Sequence, residues 1–406
     1  MKEKRNVMRY SAVLIALLML STMVAGATLS SEKVDTNINN GDVLKIGAPG
    51  NHLELQERIG DVVPRVGAAQ LDILEGGLIH VMMGDSRYNQ RLFFTGNDIV
   101  SARTVFGENR DDEVGDYLKF DGNEYFFDYQ LTFRPMLRGH VDNDNHISQF
   151  EGEYLNILGK EYMILIATHS PHESWMKMRL LDSEIRDVLH EGETKTYTVG
   201  GADYEITPVF IGEMGDQECA KFSVNGEISD TICELGTDFM QQGMPLSVRA
   251  ILINEHDAIV EFHFGGTVLD IKDMYTDDEY YEGVEINVDH MNNARLKFTA
   301  QRDGDVFALH KINYKVKADN VAGGTDIYVK EGDVLSDYME DPQTLLGGTW
   351  DFNYDGLTNR RISDIRIDGH GDDEYNLEFT NENGQEYDIG YVSTDDQFMY
   401  GNGQDF

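Results

Sequence analysis

From residue 75 onward, apolar and polar side chains alternate one for one, and this period of two is what most limits the folds open to the chain. Tyr375-Leu377-Phe379 and Tyr387-Ile389-Tyr391 alternate on either side of Asn383-Gly384. Trp350-Phe352-Tyr354, Val284-Ile286-Val288 and Leu296-Phe298-Ala300 repeat the pattern. Successive side chains on a strand point to opposite faces, so alternation describes half-buried strands, and Asn-Gly between two of them predicts a hairpin. Further hairpins are expected for 196–199 with 204–211 around Gly200-Gly201-Ala202-Asp203, and for 246–254 with 259–264 around residues 255–258. The 40 glycines, about a tenth of the chain against a usual ~7%, suit frequent turns. Helical periodicity is scarce: 62–74 and 336–346 are the places for a short helix, limited by Pro64 and Pro342. The expected fold class is all-β, tandem β-sandwiches with few short helices.

The first 27 residues read as a secretory signal: Lys2, Lys4, Arg5 and Arg9, an apolar run over 12–20, then Ala25-Gly26-Ala27, with cleavage expected between Ala27 and Thr28. Export places the remainder outside the cytoplasm. The chain carries 33 Lys and Arg against 73 Asp and Glu, a net charge of −40; removing residues 1–27 leaves 379 residues at −43. A surface this negative repels phosphate, which excludes nucleic acid and anionic lipid as partners, and it attracts divalent cations. No apolar stretch after Ala27 approaches the ~20 residues that span a bilayer as a helix. With 41% hydrophobic residues, 20 Tyr and 19 Phe, the chain has material for packed cores.

Cys219 and Cys233 flank the turn signal Asn225-Gly226. A two-residue turn there sets Cys219 opposite Ile232, one position short of Cys233, and a bulge closes the gap. In an exported chain the pair is expected as a disulfide, the alternative being two free buried thiols. Proline is rare, so boundaries rest on acidic breaks at Glu191-Gly192-Glu193 and Thr276-Asp277-Asp278-Glu279. They divide the chain into 28–190, 191–268 and 269–406.

Catalytic fragments fail on context. Gly84-Asp85-Ser86 with Gly96-Asn97-Asp98 leaves no room for the strand–helix units that hydrolase blocks need, and His169-x-x-His172-Glu173 has Pro171 against a helix. The best metal constellation is Asp142, Asp144 and Glu153, at positions 1, 3 and 12 of a calcium-loop template. His146 and Ile147 occupy positions where that template needs an oxygen ligand and a glycine, so the trio is a loose Ca²⁺ candidate beside the reading of a solvated acidic turn. Trp175 and Trp350 could line a sugar platform, though core packing is the commoner use of a lone Trp.

Several strings, in order, resemble the surface-layer (S-layer) proteins of small-genome archaea of the DPANN group. They are Gly76-Gly77 with Tyr88-Asn89-Gln90-Arg91-Leu92, Val105-Phe106-Gly107-Glu108-Asn109, DDEVGDYL at 111–118, LNILGKEYMI at 155–164, EGETKTYTV at 191–199, KFSVNGE at 221–227, WDFNYDGL at 350–357 and GDDEYNLEF at 371–379. The resemblance implies a secreted acidic building block of immunoglobulin-like domains, block 191–268 among them, without catalytic residues. Its implied partners are copies of itself in a two-dimensional lattice, stabilised by Ca²⁺ or salt, and a component of the cell envelope that anchors it. The runner-up is a cell-surface adhesin or glycan-binding module that forms no lattice.

Overall fold

A computed structural model describes residues 27–30, 43–44, 46, 53–109, 111–170, 174–240, 243–254, 257–274, 283–319, 325–346, 350–357, 365–369, 374–380, 386–394 and 397–401. The signal segment 1–26 and the turn Asn383-Gly384 lie outside them. The chain is all-β, and every strand pairing within its sheets is antiparallel. Among the described residues a four-residue helix, Ile59–Val62, and three 3₁₀ turns complete it. The helices expected at 62–74 and 336–346 do not form. The first region is a strand, Arg65–Gly67, and a 3₁₀ turn; the second is two 3₁₀ turns, one opening at Pro342, whose fixed φ suits a helix start.

Two sheets make the body. The front sheet runs Arg65–Gly67, Ser86–Phe93, Tyr125–His140, Val306–Lys317, Ala294–Asp303, with Gly77–Ile79 also paired to Ser86–Phe93. The back sheet runs Asp289–His290, Val284–Ile286, Thr267–Met274, Trp175–Asp182, Lys160–His169, Tyr154–Ile157. Their facing residues, among them Tyr129, Leu131, Ile312 and Tyr314 against Ile157, Leu180, Leu269 and Ile271, form the main core around a small apolar cavity of about 20 Å³. Gln90 is a buried polar node in this core: its Oε1 accepts from Tyr129 Oη at 2.7 Å and from the Leu158 N–H at 3.0 Å. A three-stranded sheet of Ile327–Val329, Val114–Phe120 and Arg103–Glu108 extends the core through Phe120, Phe126 and Phe352, stacked edge to face.

The expected division into three consecutive blocks does not survive the pairing. Val306–Lys317 pairs with Tyr125–His140, and Thr267–Met274 pairs with Trp175–Asp182, so stretches assigned to 28–190 and to 269–406 are halves of one body. Turn signals are local, whereas the choice of sheet partner is made by packing between distant segments.

An inserted sandwich lies between the halves. Its sheets are Ile185–His190, Ala258–Phe264, Pro245–Ile253, Thr237–Phe239, and Lys195–Val199, Ala202–Met214, Gln217–Val224, Glu227–Ile228, with Ile232–Cys233 also on Gln217–Val224. They enclose a separate core including Tyr197, Ile206, Phe222, Val248, Val260 and Phe262. One antiparallel ribbon feeds both units: Asp182 pairs with Thr267 in the body and Ile185 with Phe264 in the insert, in a single unbroken register. At the crossing Gly266 has φ +86° and a Cβ there would strike the Asp182 carbonyl, so only glycine lets the strands pass. A third apolar cluster, Met163, Leu165, Leu181 and Val268 with Leu235 and Phe239, seats the insert on the body.

Candidate functional site

The cysteines are bonded, Cys219 to Cys233. Asn225 and Gly226, with φ of 51° and 86°, make the two-residue turn, and Val224 pairs with Glu227. Further along, Ala220 pairs with Ile232 and Cys219 with Cys233, so one extra residue is absorbed between Ile228 and Ile232. Ser229 stitches that bulge: its Oγ accepts from the Phe222 N–H at 3.0 Å and donates to the Asp230 carbonyl at 2.7 Å. Closing a loop of this length contributes about 3 kcal/mol in the chain-entropy account.

The acidic trio is not drawn together. Asp142 Oδ1 accepts the backbone N–H groups of Asp144, at 2.9 Å, and His146, at 2.8 Å, which closes a local turn. The carboxylate that turns inward is Glu151, missed in the sequence: its Oε1 is 2.9 Å from His146 Nδ1 and accepts the Ala167 N–H at 3.1 Å. Among the described residues no three Asp, Glu, His or Cys side chains stand where they could hold a metal ion. Of Asp142, Asp144 and Glu153, Asp142 is engaged in this local turn, and the three do not converge on one point among the described residues.

The other candidates disperse. Ser86 is buried and donates to the Pro135 carbonyl at 2.6 Å, while Asp85 pairs with exposed His80. Trp350 is core, its Nε1 donating to the Leu345 carbonyl at 3.1 Å. Trp175 opens a back-sheet strand with Lys272 Nζ 4.7 Å from its ring centre. His169 is buried beside Phe307, and burial together with Arg302 presses its pKa down to about 4; His172 and Glu173 lie outside the described residues. His263, at the root of the insert, has Nδ1 2.6 Å from Ser183 Oγ and a buried Nε2 with no hydrogen-bond partner among the described residues. Burial first, then Arg186, lowers its pKa to about 4. Nothing in the spacing of Ser183 and His263 announces their meeting, which the ribbon register produces.

The surface feature with most reach is the hairpin Ala202–Met214 with Gln217–Val224. The neighbouring strand Lys195–Val199 covers Ala202 to Ile206, and the Gly192 N–H bonds to the Pro208 carbonyl at 2.7 Å; beyond this no strand lies on that edge among the described residues. A bulge at Val209, between Pro208 and Phe210, turns Phe210 outward. Val209, Phe210 and Met214 are 43%, 36% and 51% exposed. The Phe210 ring lies over Gly212, where a Cβ would come within 2.7 Å of Cζ, an arrangement in which an aromatic covers a strand glycine. Apolar side chains along an open strand edge form a template for another strand.

Fold and surface define an all-β, disulfide-bonded protein of two joined sandwich units with an open apolar edge on one. No protein-family model matches the chain, and no curated protein matches it.

Proposed function

We propose that this chain is a secreted structural protein that self-assembles into a layer on the cell surface. The observation that carries the reading is the open edge of Ala202–Met214 with exposed Val209, Phe210 and Met214, because such an edge pairs with the same edge of an identical rigid copy and supplies a two-fold contact from which a layer can be built. The disulfide suits an extracellular location, and the two-sheet build of the insert suits an immunoglobulin-like unit. Copies that each carry −43 once residues 1–27 are removed repel one another, so assembly needs loop carboxylates bridged by Ca²⁺ or screened by salt. An envelope component supplies the anchor.

Negative-stain microscopy of the chain beginning at Thr28 tests this. Ordered sheets or tubes are expected when Ca²⁺ or high salt is added. Dispersed particles under every condition would remove the reading.

A further inference from the structure

The outward face of the front sheet has the opposite sign to the rest of the protein. Cross-strand register places Arg87 opposite Arg134, Arg91 opposite Gln130, Lys311 opposite Thr132, and Lys297 opposite Asn313, all on one side, since alternate positions share a face. Of the carboxylates on this side, Asp128 is buried and engaged by Gln130 and Asn313, and Asp303 lies at the far end of its strand opposite Val306. Several cations elsewhere sit on acids: Arg58, Arg103 and Lys119 on Asp121, Lys177 and Arg179 on Asp270, Arg186 on Glu261. Arg87, Arg91 and Arg134 are exposed and have no ion pair among the described residues. In a chain with 73 acids for 33 bases, three such arginines, two of them directly opposed, are a costly arrangement.

The complement is on the insert. Residues 183–266 hold 16 Asp and Glu against four Lys and Arg, a net charge of −12. Its hairpin ends in five consecutive exposed residues, 213–217, followed by half-buried Glu218. Glu213 stands directly opposite Glu218, with Asp216 at the turn between them. Two opposed carboxylates thus end the hairpin, as two opposed guanidiniums stand on the body. Cys219–Cys233 ties down the hairpin immediately behind this tip. Among the described residues no hydrogen bond or ion pair joins tip and face within one chain.

We propose that the front-sheet face of one copy receives the acidic hairpin tip of a second copy, Arg87, Arg91 and Arg134 forking the carboxylates of Glu213, Asp216 and Glu218. The contact joins two different patches, so it propagates head to tail wherever the two copies are not related by a two-fold axis, as a layer requires. It rests on the layer reading and deepens it by naming one lattice contact. Calcium or salt relaxes the long-range repulsion, for the screening length is about 8 Å at 0.15 M, while closely docked charges are screened less.

The test uses two charge-reversed proteins, Arg87→Glu/Arg91→Glu/Arg134→Glu and Glu213→Lys/Asp216→Lys/Glu218→Lys, and a milder Arg91→Gln/Arg134→Gln protein, each checked for wild-type melting. Association is followed by sedimentation velocity in the calcium and salt that assemble the wild type. Each reversed protein alone is expected to need at least about tenfold more protein to associate, and their equimolar mixture to return to wild-type behaviour, because every tip then meets a face of opposite sign. The milder protein is expected to weaken association in the same direction. If all three associate like the wild type, the contact is elsewhere and the layer reading stands without it. A wild type that stays monomeric in every calcium and salt condition removes both. A monomer that binds polyglutamate through these arginines, without self-association, makes the face a site for an anionic polymer and overturns the second copy as its occupant.

Discussion

At the scale of single residues, local backbone demands and burial explain more than residue type. Val288 was expected to continue the alternation of Val284 and Ile286, yet the strand stops at Ile286 and Asn287-Val288 make the turn, at φ 49° and 72°. A β-branched residue in the left-handed region is strained, and Val288 is 67% exposed, so little packing offsets it. Val288→Gly is expected to raise stability by about 1 kcal/mol, read as a higher melting temperature. His263 sets a pH limit. Its folded pKa of about 4 lies below the ordinary 6.5, pressed down by burial and by Arg186 and Arg249, with Glu261 opposing. Between these values the unfolded chain binds the extra proton, so the stability from neutral His263 is whole above 6.5 and is lost as pH falls toward 4. His169 acts in the same sense. Melting temperature should therefore fall from pH 7 to 4, and His263→Gln should flatten that slope. A slope identical to the wild type would show that His263 contributes none of it.

At the scale of elements, the strand Ala202–Met214 unites several properties usually kept apart. It is 13 residues long, packs Ile206 and Ile211 into the insert's core, and leaves part of its edge open. Natural edges are commonly guarded by charge or a bulge; here the bulge at Val209 instead turns an aromatic outward. Val209→Lys/Met214→Lys should leave stability within about 0.5 kcal/mol of the wild type, since both side chains are largely exposed, and should abolish sheets or tubes in the microscope. Unchanged sheets would show that the edge is not an assembly contact. The hairpin turns of this unit were legible because Gly200-Gly201 and Asn225-Gly226 carry the positive φ that two-residue turns require. The first turn is tighter than expected: Val199 pairs with Ala202, so Ala202 and Asp203 belong to the strand.

At the scale of the whole molecule, the continuous ribbon makes the insert removable. Asp182 and Thr267 are direct partners, so replacing 183–266 by an Asn-Gly turn should leave a body that melts cooperatively. Uncovering Met163, Leu165, Leu181 and Val268 should lower its solubility, measurable by light scattering. A body that does not fold would mean that the insert's seat is part of the core. Several features were written locally and so could be read from the chain: the period of two, the Gly and Asn-Gly turns, the bulge between the cysteines and the acidity. Alternation decides faces, and turn residues decide where strands reverse. Other features arise only in the tertiary structure. Residues 87, 134 and 311 share a charged face because three separated strands adopt one register. Ser183 meets His263 because a ribbon crosses between two cores. Asp142 is spent on its own turn because two backbone N–H groups lie closer than any shared cation site. Strand and turn propensities act over a few residues, whereas which strands become neighbours is settled by burying distant apolar faces together, and the chain does not spell out that choice.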